Sequence, residues 1–172
     1  MAPKQNLKWR IASYALVLIV LYLLQFSRGL PLRFRGAQVD FLPFFIAALA
    51  LFEGPWMGAG FGFAAGLLCS LGGGTEGLLA LYYGLCGLCV GYFSSTYLRR
   101  VYPSALLSGA FILLLHDTIL FYFYYALLYR ARYVAGLEIM GLRLLISAVL
   151  SAPVYLILRK IHSRFEEDAP IG

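Results

Sequence analysis

Two groups able to exchange protons, His116 and Asp117, stand side by side within the apolar stretch LLLHDTILFYFYY, residues 113–125. Such groups inside an apolar helix serve as relays, ligands or ion-pair partners. Adjacent helical positions diverge by about 100°, so the pair is not placed to act as acid and base on one substrate. On the next apolar segment Arg143, Ser147 and Ser151 recur every four residues, the spacing of one helical face. An ionised carboxylate turned toward lipid costs about 2.5–3.5 kcal/mol, so Asp117 is expected to face the bundle. The rise per residue puts Ser151 nearly level with Asp117 and Ser147 one turn further out. Hydrogen bonding from Ser151 or Ser147 to Asp117 is therefore expected, with Arg143 snorkelling outward or, as the alternative, reaching down.

Other reactive residue types form no complete set. Cys86 and Cys89 make a C-x-x-C, but inside an apolar run with no second Cys/His cluster to complete a zinc site. Gly72, Gly73 and Gly74 lack the following Lys-Ser/Thr of a phosphate loop and read as a turn. His162 falls in the C-terminal tail, and Glu53 and Glu76 fall at loop edges. No catalytic residue, cofactor or metal is expected.

The elements that must position these groups follow from composition. The chain has 172 residues, 62% of them hydrophobic and 13% charged, with a mean hydropathy of +0.81. That profile excludes a soluble domain and a disordered chain. The basic residues cluster between apolar runs, where membrane topology uses them, so the net charge of +6 is not read as a nucleic-acid surface. The reading is an all-α, polytopic membrane helical bundle in one domain, 1–172. About six transmembrane helices are expected, near 11–27, 39–52, 56–71, 78–97, 104–129 and 139–158, with a short cytoplasmic tail over 159–172. The second and third are short and separated only by Glu53, Gly54 and Pro55, so they form a tight hairpin. Phe121 to Tyr125, with Tyr129, suit an interfacial aromatic belt or a docking surface for another protein.

Lys4, Lys8, Arg10, Arg99, Arg100, Arg159, Lys160 and Arg164 fall on one side of such a bundle. Arg28, Arg33, Arg35, Arg130 and Arg132 fall on the other. The excess favours both termini in the cytoplasm. Gly58, Gly62 and Gly66 repeat G-x-x-x-G on the third helix, and Gly84, Gly87 and Gly91 line the fourth. Small residues at this spacing let helix backbones approach closely in lipid, within one chain or across a dimer.

LPLRFRGAQVDF, LALFEGPWMGAGFGFAAGLL, GGTEGLLAL, GLCVGYFSSTYLRR and LLHDTILF occur in that order. Over residues 30 to about 120 this series resembles the MreD family of bacterial rod-shape-determining membrane proteins. Asp40, Gly54, Gly58, Gly62, Gly66, Gly77, Gly91, Tyr92 and Asp117 match the family's pattern; Val39 stands where a proline is usual, and Cys69-Ser70 fall where many members carry an acidic residue. The resemblance implies a fold similar to the substrate-binding subunits of energy-coupling-factor vitamin transporters. It also implies a non-enzymatic place in the cell-elongation complex of the bacterial inner membrane. The implied partner is MreC, a single-span membrane protein, and through it the peptidoglycan transpeptidase, the glycosyltransferase and actin-like filaments. The fold analogy also admits an alternative, the substrate-binding subunit of a vitamin transporter.

Overall fold

The computed structural model describes residues 3–26, 33–34, 37–73, 77–96, 101–120 and 133–167. Its helices are α1 (Pro3–Phe26), α2 (Leu42–Glu53), α3 (Pro55–Gly73), α4 (Leu78–Thr96), α5 (Tyr102–Leu120) and α6 (Tyr133–Glu167). Between α1 and α2 a minimal antiparallel ribbon pairs β1 (Arg33–Phe34) with β2 (Ala37–Gln38), Arg33 opposite Gln38. The protein is an all-helical bundle. Leu7–Phe26, Tyr102–Ile119 and Glu138–Phe165 are long and apolar enough to cross a membrane, whereas α2, α3 and α4 are shorter apolar helices.

The core is built around α2. Every residue from Val39 to Phe52 is buried, and a helix that is apolar on all sides is stable only when enclosed. At about 1.5 Å per residue its 12 residues extend about 18 Å, short of the roughly 30 Å hydrocarbon layer. Pro43 sits in the first turn, where its missing amide leaves no helical hydrogen bond unmade. Gly54 ends the helix with φ +87° and donates its amide to the Ala50 carbonyl at 3.0 Å. That left-handed conformation favours glycine, and Pro55 opens α3 directly.

α3 and α4 lie in backbone contact along the glycine seam. A β-carbon at Gly62 would collide with the Tyr83 carbonyl, at Gly66 with the backbone of Leu79 and Ala80, and at Gly87 with Gly58. Gly58 also abuts Ala50 of α2, and Gly91 abuts Pro55. Gly84, Gly54 and Gly77 differ. One at Gly84 would meet only ordinary contacts near 3.5 Å, and Gly54 and Gly77 (φ +70°) have open space and serve the turns. Tyr92, which the family pattern would associate with the seam, points outward at 67% exposure.

α6 departs most from the sequence expectation. It begins at Tyr133 and continues to Glu167, through the segment read as a solvated tail. Leu158 is fully buried and Ile161, His162 and Phe165 are partly buried, the i, i+3, i+4, i+7 pattern of a helix still packed on one face. The last third of the expected fifth span, with the aromatic run Phe121 to Tyr125 and Tyr129, lies outside the described residues.

Candidate functional site: two ionic clusters at the ends of the buried helix

Asp40 sits just before α2, and its side chain is 3% exposed. Arg143, from the third turn of α6, hydrogen-bonds Asp117 Oδ1 at 2.7 Å through one terminal nitrogen and pairs with Asp40 Oδ2 through the other. A planar guanidinium has the geometry for two carboxylates at once. Gln25, in the last turn of α1, donates its amide to Asp40 Oδ1 and accepts the Phe41 N–H at 3.3 Å. Asp117 Oδ1 also meets His116 Nδ1 at 3.2 Å, and the His116 ring stacks on Tyr83 with centroids 5.7 Å apart. The cluster thus joins α1, α2, α5 and α6 around one cation.

This arrangement corrects the expected serine contacts. Ser147 accepts a hydrogen bond from the Asp40 backbone N–H at 3.0 Å, and Ser151 donates to the Ala148 carbonyl at 2.6 Å. Neither serine serves Asp117, because Arg143 is already there. Since α6 starts at Tyr133, ten residues before Arg143, the arginine is not at a helix end where its stem would carry it to the interface. The neighbours His116 and Asp117, expected to diverge, are joined by their facing ring and carboxylate atoms.

Ligand atoms of Asp40, His116 and Asp117 lie within 4.8 Å of one another, and all three residues are buried. The set would suit a cation, and the cation there is the Arg143 guanidinium. Two carboxylates against one guanidinium leave a formal charge of −1. The chemistry of the arrangement is charge compensation between helices, with Arg143 Nε left without a hydrogen-bond partner among the described residues.

A second cluster occupies the other end of α2. The Glu53 side chain is fully buried. Its Oε1 accepts the Tyr14 hydroxyl at 2.6 Å and meets His162 Nδ1 at 2.9 Å, while Oε2 pairs with Arg10. The His162 ring stacks on Phe52 with centroids 5.2 Å apart. Sequence reading placed Glu53 at a loop edge and His162 in the tail, and so missed this cluster. One signal was present: no Lys or Arg stands between Arg35 and Arg99, so a carboxylate enclosed by apolar helices at Glu53 has to draw its counter-charge from far along the chain.

Cys69, Cys86 and Cys89 are all free thiols, from buried Cys69 to exposed Cys89. Comparisons of the chain with protein-family models, with curated proteins and with solved structures find no match.

Proposed function

We propose that this chain is a non-enzymatic integral-membrane component of a bacterial cell-elongation complex, of the MreD kind. It binds an MreC-like single-span protein and helps organise lateral peptidoglycan synthesis from the cytoplasmic membrane, with both termini in the cytoplasm. One observation carries the reading. Asp40 and Asp117, two positions of the ordered family pattern, converge on the same arginine and fix α2 and α5 against α6. Gly58, Gly62, Gly66 and Gly91 of the same pattern occupy positions where a side chain has no room. In this reading the ionisable residues are used to hold a shape for a partner, and the transpeptidase, glycosyltransferase and actin-like filaments are reached through that partner.

The test is gentle purification of the tagged protein from its own membranes, followed by mass spectrometry of what accompanies it. A single-span shape protein with a cell-wall transpeptidase is the expected result. Asp117→Asn and Asp117→Ala should each lower that recovery several-fold and round the cells. A coupling subunit with a pair of ATPases would replace the proposal with a vitamin transporter's substrate subunit.

A further inference from the structure

A groove of about 420 Å³ lies where the first turns of α1 meet the last turns of α6. Trp9, Ile157, Lys160, Ile161, Arg164 and Phe165 line it. Its size falls within the range of about 300–1,000 Å³ common to small-molecule sites. Three features of its placement narrow the occupant.

The first is depth. Trp9 is near the start of the membrane-competent stretch Leu7–Phe26, and Phe165 closes the stretch Glu138–Phe165. The groove therefore straddles the boundary between hydrocarbon and headgroups, where tryptophan is favoured. The second is charge. Lys160 and Arg164 are one helical turn apart and exposed, and Lys8 and Arg159 flank them. Arg10 is engaged by Glu53, whose carboxylate is fully buried and adds no negative charge to the surface. By sequence, Lys8, Arg159, Lys160 and Arg164 outnumber Glu166, Glu167 and Asp168 in this part of the chain. The third is the wall. One and two turns further along α1 from Ser13, which also touches the groove, Leu16 and Val20 are exposed, and two turns back from Ile157 along α6 so is Val149. An apolar track thus leads from the basic mouth toward the middle of the bundle.

We propose that this groove binds an anionic phospholipid, its phosphate between Lys160 and Arg164, its glycerol beside Trp9 and its acyl chains along the apolar track. A basic mouth continuous with a lipid-facing track selects an amphiphile with a negative headgroup. A soluble anion would have no use for the track. A zwitterionic lipid offers the same phosphate but brings its own ammonium, so it gains less from the excess of cations.

Trp9 offers a direct readout, since Trp56 is the only other tryptophan and is 83% exposed. The Trp56→Phe protein, reconstituted in phosphatidylcholine vesicles, is titrated with acyl-brominated phosphatidylglycerol or acyl-brominated phosphatidylcholine, and quenching of Trp9 is followed. Half-quenching is expected at a several-fold lower mole fraction of the phosphatidylglycerol. Each basic residue close to an anionic lipid strengthens attachment about fivefold. Lys160→Gln with Arg164→Gln should therefore cost at least about fivefold in that preference. Lys8→Gln with Arg159→Gln removes the same charge outside the groove and should leave the preference in place. Equal quenching by both lipids would overturn the proposal, as would an equal loss in the two double variants, which would mean diffuse surface charge. Reversal of the quenching by millimolar inorganic phosphate would assign the cations to a soluble anion and overturn it too.

Discussion

Among the described residues, Arg143 is the group that pairs with both Asp40 and Asp117, and both carboxylates are almost fully enclosed. Removing one member of a buried ion network leaves the other charges without compensation, which costs about 3–5 kcal/mol, far more than the intact network contributes. Arg143→Gln should therefore lower the thermal unfolding midpoint in detergent sharply. Adding Asp40→Asn and Asp117→Asn to it should restore much of the loss. A triple variant no more stable than the single one would show that Arg143 acts through packing. At this scale the sequence exposed the residue types but not their pairing. Asp117 and Arg143 stand out because charge is rare in apolar runs, whereas Asp40 entered only through the family pattern and Gln25 not at all. What joins them is the register between helices distant in the chain, and local spacing carries no record of that. The Glu53 cluster escaped for the same reason: Tyr14 and His162 lie 39 and 109 residues from it.

At the level of elements, the α3–α4 pair depends on absent side chains. Gly62→Ala or Gly66→Ala would push a methyl group into the backbone of α4, and forced overpacking of this kind costs about 1–3 kcal/mol. Gly60 faces open space, and Gly84 meets only ordinary contacts. Gly60→Ala should be neutral, or stabilising by up to about 1 kcal/mol through helix propensity. Unfolding midpoints of the four variants in one detergent should fall into these two groups; a common loss at all four positions would contradict the seam. The G-x-x-x-G spacing made the third helix's contact face legible, because 58, 62 and 66 share a stripe and 60 does not. It did not separate Gly84 from Gly87 on α4, since both lie on plausible faces and only the crossing of the two helices decides between them.

For the whole molecule, the clusters fix direction. Arg10 near the start of α1, Glu53 at the end of α2 and His162 near the end of α6 meet at one end. Gln25, Asp40 and Arg143 meet at the other. Both described ends of the chain thus lie on the same side of the bundle. A fluorescent protein fused after Gly172 should fluoresce, and alkaline phosphatase fused there should be inactive. Phosphatase inserted after Arg28 should be active; the reverse pattern would invert the orientation. The hydropathy of the chain revealed the helix order, but not that α2 would be wholly enclosed, because an apolar run looks the same whether lipid or protein surrounds it. That enclosure bears on how the protein is made. Asp40 emerges from the ribosome 103 residues before Arg143, an interval of about 5–20 s at ordinary elongation rates of about 5–20 residues per second. Throughout that interval α2 is too short to settle across the bilayer, and Asp40, just before it, has Gln25 at hand but not yet Arg143. Its final placement must await the last helix to be synthesised, so insertion of this protein finishes after translation has nearly ended.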